Sequence, residues 1–312
     1  MKLSDTRNVF RLHIRPGGAD ADAAVSFAYC LAENVLGLGW AVGLPPDARP
    51  TWNEYVTLAN VQYAGENGEA ADIGRVRFLQ SRVRPRDLIW TRDTRGMYYL
   101  GKVESPWEYH ETAASRAADI VNFVRCDILA VPEPDDVPGK VGACFRARST
   151  IQSIIDPTAV AYSQLLWNRL SCRNDYVVVP NGAQNIFSYL DSETTEDVIF
   201  IWLQRQGWLV IPNSRKADTM GFEYVLINRE TRERAVAQVK TGNYPLDRED
   251  WKHFSQRVFL FQASGLYLGA EAPSVICISP SDIESFMRIE RDIMPGVVRR
   301  WLDHIDGVRD QH

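Results

Sequence analysis

Two short apolar runs in the second half constrain the fold most. Phe222–Asn228 (FEYVLIN) and Glu233–Lys240 (ERAVAQVK) each have strand character, and the polar stretch Arg229–Arg232 turns one into the other. A strand pair joined this tightly must sit in an antiparallel register within a sheet. Side chains alternate along a strand, so Val236, Gln238 and Lys240 share one face while Ala237 and Val239 share the other. Gln238 and Lys240 are polar ends on an otherwise apolar strand. Burying such groups without partners costs on the order of 1–3 kcal/mol each, so a partner is required. Glu223, on the preceding strand, is the acid within reach.

The surrounding pattern supplies the rest of this half. Thr194 with Asp197 reads as a capping box, opening a helix with Val198, Ile199, Trp202 and Leu203 on its apolar face and ending at Gly207. Trp208–Pro212 reads as a buried strand. After the hairpin, Arg248–Phe261 reads as a helix, Leu266–Gly269 and Val275–Ser279 as strands, and Ser281 with Glu284 as the cap of a final helix. The order α-β-β-β-α-β-β-α predicts a mixed sheet flanked by helices.

With that order behind them, Glu223 and Gln238-Val239-Lys240 resemble the PD-(D/E)xK nuclease superfamily in its Mrr-like QxK form, over about residues 191–285. The leading acid is Glu where Asp is usual, and no proline precedes it. The resemblance implies a restriction-endonuclease-like fold, with a Mg²⁺ (or Mn²⁺) centre that hydrolyses phosphodiesters. It implies Glu223, the Gln238 amide oxygen and the Val239 carbonyl as metal ligands, and Lys240 as the group that orients water and meets developing negative charge. Glu196, on the opening helix, joins the site. The chemistry suits these types, because Mg²⁺ takes oxygen ligands and an ammonium stabilises an anionic transition state. Asp218 lies in the loop before Glu223 and Lys252 and Arg257 are candidate phosphate contacts, whereas His253 reads as a surface histidine.

The first 150 residues read differently. Ala21–Leu36 is helical and stops at Gly37; Arg75–Gln80 alternates Val76 and Phe78 with arginines, as a strand does. Asp87–Thr91 and Met97–Glu104 form a hairpin about Thr94-Arg95-Gly96, and Asp127–Val131 and Gly142–Arg148 are further strands. Many short strands around one or two helices predict a small barrel. Arg86-Asp87-Leu88-Ile89-Trp90, the YYLGKV return strand and Gly37-Leu38-Gly39-Trp40-Ala41 resemble PUA-like barrels, EVE-type modules in particular, over about residues 8–148. Arg86 stands where the family usually has glycine. The resemblance implies a pocket that reads a modified or flipped base. Trp40 is its first candidate, with Trp90 and Tyr98 beside it; Trp52, Tyr99 and Trp107 are the other aromatics. A base stacked on such a ring gains roughly 1–3 kcal/mol. Seven arginines lie between Arg75 and Arg95 against Asp87 and Asp93, and of these Arg82 and Arg84 are the expected phosphate contacts.

These readings predict a mixed α/β (α+β) chain: a PUA/EVE-like β-barrel over 1–150, a helical connector over 151–190 and a nuclease domain over 191–312. A net charge of −5 does not by itself mark a nucleic-acid binder. No run of 18 apolar residues is present, the first residues lack a signal-peptide core, and the five cysteines are scattered singly. A cytoplasmic protein without membrane contact is expected. The function expected is that of a modification-dependent DNA endonuclease in bacterial defence, dimeric because one site cuts one strand. Two alternatives stand beside it: a nucleic-acid-binding protein with an inactive nuclease-like domain, and a nuclease activated by a small nucleotide.

Overall fold

The computed structural model describes residues 7–17, 22–65, 69–179, 185–211 and 221–309. The chain forms two compact units, Lys2–Val137 with Val141–Val178, and Pro138–Lys140 with Val179–His312. Both mix helices and strands.

The first unit contains β1 (Val9–Leu12), α1 (Ala23–Glu33), β2 (Val35–Leu38), α2 (Trp52–Tyr63), α3 (Gly74–Arg82), β3 (Leu88–Arg92), β4 (Tyr98–Val103), β5 (Glu108–Tyr109), α4 (Ala113–Ala117) and β6 (Asn122–Val131). Then come α5 (Gly139–Cys144), which begins in the second unit's segment, β7 (Ile151–Ile154) and α6 (Pro157–Ser171). The strands lie in the order β2-β6-β4-β3-β1-β7, with β5 beside β6. The β1–β3 pair is parallel and the others are antiparallel. The path has β2 and β7 as its edges, so the small barrel expected is present as a curled, open half-barrel sheet.

Four sequence expectations change here. The first helix stops at Asn34, whose φ of 53° is left-handed, and not at Gly37. Gly37 is inside β2, where an added Cβ would overlap the Asn122 carbonyl oxygen and the Phe123 side chain. Arg75–Gln80 is helical: Val76 and Leu79 are the buried pair, three residues apart, and the Val76/Phe78 alternation is incidental. Gly142–Arg148 is not a strand, because α5 occupies its first part and the strand begins at Ile151. Pro157 opens α6, capped by Asp156, which accepts from the amides of Thr158 and Ala159. Strand β7 and α6 thus belong to the first unit and do not form a connector.

The second unit contains α7 (Ser192–Arg205), β8 (Trp208–Val210), β9 (Tyr224–Asn228), β10 (Arg234–Lys240), β11 (Leu246–Asp247), β12 (Arg257–Gln262), β13 (Tyr267–Leu268), β14 (Val275–Ile278), α8 (Pro280–Ile289) and α9 (Gly296–Arg309). Its main sheet runs β14-β12-β10-β9-β8. Strands β10, β12 and β14 are parallel, and β9 is antiparallel to β10. Strands β11 and β13 form a separate parallel pair. Asp191, not Thr194, caps α7, accepting from the Thr194 amide at 2.7 Å. The helix expected over Arg248–Phe261 is a short 3₁₀ turn, Arg248–Trp251, followed by the interior strand β12. Residues Val258 to Gln262 are all buried, as in a strand covered on both faces; such a run carries no alternation to separate it from a helix. Helix α9 lies beyond the helix expected to be last. Among the described residues, no helix is long and apolar enough to cross a membrane.

Candidate active site and base pocket

The register of β9 on β10 sets the first site. Tyr224 pairs with Ala237, and the Glu223 amide donates to the Ala237 carbonyl at 2.9 Å, so Glu223 stands opposite Gln238. Gln238 is 3% exposed. Its Nε2 donates to Glu223 Oε1 at 3.0 Å and to the Val239 carbonyl at 3.1 Å. The partner demanded by a buried amide is thus supplied by the predicted acid. The carboxylate oxygen and the main-chain carbonyl converge on one point, currently taken by the amide nitrogen. Lys240, on the same face two residues on, is exposed at the end of β10. Glu196 is half-buried in α7, a helix that packs against β8 and β10. Among the described residues no group of three or more His, Cys, Asp or Glu gathers in a way that could hold a metal ion. Asp218 lies outside the described residues.

Gln262 is the member of this site that the sequence reading missed. It pairs with Lys240 across β10 and β12 and is fully buried. Its Nε2 donates to the carbonyls of Gly242 (2.8 Å) and Tyr244 (3.1 Å), and its Oε1 accepts from the amides of Ser264 (2.6 Å) and Leu266 (3.1 Å). One side chain therefore ties together the loops that leave both strands, directly after Lys240. The available signal was the same one that marks Gln238: a polar end on an apolar strand. Beside these loops lies a cavity of about 420 Å³ lined by Asn185, Ser188, Gly242, Asn243 and Ser264. It opens at the carboxyl ends of parallel strands, where α/β sheets bind ligands.

The other expected contacts in this unit are occupied locally. Lys252 is paired with Glu249 at 2.5 Å and Arg257 with Glu233 at 2.8 Å. His253 is exposed, its ring against Phe254.

In the first unit, the structure separates the three pocket candidates. Trp90 is fully buried, with its indole N–H donating to Ser163 Oγ at 2.9 Å, so it is a core residue. Tyr98 packs its ring edge-on against Trp90 and Phe145. Trp40 borders a cavity of about 370 Å³ with Arg15, Gly17, Tyr63 and Asp119. That volume lies in the roughly 300–1,000 Å³ range of small-molecule sites. Trp40 has a φ of 65°, a left-handed conformation that a bulky residue adopts only when its surroundings enforce it. The enforcing groups are visible. Asn122 Nδ2 donates to the carbonyls of Gly39 and Trp40, Tyr55 Oη to that of Trp40, and Tyr63 Oη to that of Ala41. Past the tryptophan, Val42 donates to Tyr109 Oη, and Gly43 and Leu44 to the Glu111 carboxylate. Gly39 is required because a Cβ there would strike the Asp119 carboxylate. Burial pushes the Tyr63 phenol above its usual range.

Arg82 and Arg84 are exposed at the carboxyl end of α3. The Arg84 guanidinium donates to the carbonyls of Gln80, Ser81 and Val83, so it caps that helix.

No family model matches this chain, and neither a curated protein nor a solved structure matches it.

Proposed function

We propose that the protein is a metal-dependent DNA endonuclease of the PD-(D/E)xK type whose first unit, PUA-like in character, reads a modified base in the Trp40 cavity. The observation that carries this reading is the convergence of Glu223 Oε1 and the Val239 carbonyl on the Gln238 amide, with Lys240 on the same face. One carboxylate, one amide and one carbonyl form a hard-oxygen donor set, which fits Mg²⁺ or Mn²⁺. The amide N–H hydrogens now directed at the two oxygens are electropositive; turning the amide about its terminal torsion would present Oε1 on that side instead. When bound, such a cation polarises a phosphoryl oxygen and lowers the pKa of an attacking water.

The protein groups have separable tasks. Glu223 contributes the only full negative charge of the proposed ligand set. Gln238 adds an oxygen without adding charge. Lys240 presents its ammonium to solvent, where it would meet the charge that develops on the phosphoryl group. Gln262 holds the adjoining loops so that Lys240 keeps its position. The Trp40 ring would stack on an extruded base, and the Asp119 carboxylate at the cavity would accept from its amino edge. One such site cuts one strand, so a double-strand break takes two copies of the chain.

The test is incubation of the full chain with Mg²⁺ and duplex DNA carrying modified or plain cytosine or adenine. Cleavage restricted to modified DNA is the expected result. Cleavage that needs an added nucleotide would replace base reading with nucleotide activation. Failure to cut any DNA or RNA would overturn the nuclease reading.

A further inference from the structure

Around Phe145 the first unit gathers positively charged side chains. Arg11 is fully buried and its ζ-carbon lies 5.5 Å from the Phe145 ring centre. The Arg92 ζ-carbon lies 5.4 Å from the same centre and 5.7 Å from that of Tyr98. The His13 ring is 5.8 Å from Phe145, and Arg15 Nε donates to His13 Nε2 at 3.3 Å. Arg11 spends its terminal nitrogens on the carbonyls of Ser149 and Thr150 and on Gln152 Oε1. Among the described residues, none of Arg11, Arg15 and Arg92 forms an ion pair.

Donors are also in surplus. His13 Nδ1 and Arg11 Nε are buried with no hydrogen-bond partner. With Nε2 accepting from Arg15, the neutral His13 ring carries its proton on Nδ1 and has nowhere to place it. Burial, followed by Arg15, Arg11 and Arg92, pushes the His13 imidazole down to about 4. Burial chiefly lowers the Arg11 guanidinium below its usual range; Cys144 opposes this, and Arg15 adds a smaller lowering. A buried guanidinium such as that of Arg11 is costly without a counter-charge. Among the described residues no ion pair supplies that counter-charge, and a bound anion would.

We infer that Arg15, His13 and Arg92, backed by the buried Arg11, form a phosphate-binding site on the first unit. Arg15 is exposed and His13 and Arg92 are half-buried, so the site is open to solvent. Guanidinium forks match phosphate oxygens, and the Tyr98 and Phe145 rings give the site the aromatic character typical of nucleic-acid surfaces. Arg15 also lines the Trp40 cavity, so a phosphate held here adjoins that cavity. The inference does not depend on cleavage by the second unit. It moves the phosphate grip of the first unit from Arg82 and Arg84 to the end of β1.

Histidine-selective NMR on the full chain, in EDTA so that no DNA is cut, reads the site directly. The five histidines are few enough to assign His13 from a His13→Gln variant. The probes are inorganic pyrophosphate, a deoxynucleoside monophosphate and a short DNA duplex. A bound phosphate should raise the His13 pKa by about one unit or more, and Arg15→Gln should weaken binding about tenfold. Arg15 is exposed, so this variant keeps the fold; Arg92→Gln provides a second reading. A response to duplex at far lower concentration than to the mononucleotide identifies a backbone phosphodiester. Equal or stronger response to the mononucleotide identifies a free nucleotide's phosphate. A His13 pKa unmoved by all three probes at millimolar concentration, or Arg15→Gln and Arg92→Gln both binding as the parent does, overturns the site.

Discussion

Glu223 and Gln238 show how far alternation and spacing reach at the scale of single residues. Period-two alternation puts Gln238 and Lys240 on one face, and the fifteen-residue hairpin puts Glu223 opposite Gln238; both hold in the structure. Trp90 shows where that logic stops. Alternation assigns a face but not what covers it, and Ser163 of α6, 73 residues away, decides that Trp90 is core. The polar cage that holds Trp40 was equally illegible, because Asn122, Tyr55 and Glu111 come together only through sheet pairing. Trp40→Ala should therefore lower discrimination between modified and plain DNA by roughly 1–3 kcal/mol while total affinity falls less. Binding titrations on matched duplexes check it; an equal loss on both would remove Trp40 from the pocket. His13 has a pH signature. Its folded pKa is about 4 against an ordinary 6.5. As pH falls through that window the unfolded chain takes up a proton that the folded one refuses, so stability falls with falling pH. Urea melts of parent and His13→Gln in phosphate-free buffer should diverge between pH 6.5 and 4, the parent losing more. Parallel curves would show that His13 titrates normally.

Elements were legible where a local signal was strong and misread where it was ambiguous. The β9–β10 hairpin announced itself through its polar turn. Strand β12 did not, since five successive buried residues fit a strand or a helix equally well. Helix α3 was misread because two apolar positions, Val76 and Phe78, imitate a strand when Leu79 is ignored. What fixes β12 in place is partly Gln262, and here the element can be tested. Gln262→Ala removes five hydrogen bonds between Gln262 and the loops after β10 and β12. It should cost about 2 kcal/mol in denaturant unfolding. It should also slow cleavage with little change in DNA affinity, because Lys240 loses its support rather than its charge. An unfolding midpoint equal to the parent's would show that the loops hold without it.

For the molecule as a whole, composition and rhythm foretold a mixed α/β chain, but the division between units fell elsewhere. The first unit extends to Val178 because β7 pairs with β1 and completes that sheet. Barrel closure was not readable, since it depends on which strands meet at the edges and no local pattern encodes that. The central claim is that the Glu223, Gln238 and Lys240 end of the second sheet cleaves phosphodiesters. The most direct measurement compares single-turnover cleavage by the parent and by Lys240→Ala, in Mg²⁺ and on the same modified duplex, with affinity measured alongside. Lys240 is exposed, so its removal should leave the fold and DNA affinity close to the parent's. Cleavage by Lys240→Ala should be slower by about a hundredfold or more. Cleavage by Lys240→Ala within about tenfold of the parent, at equal affinity, would contradict it.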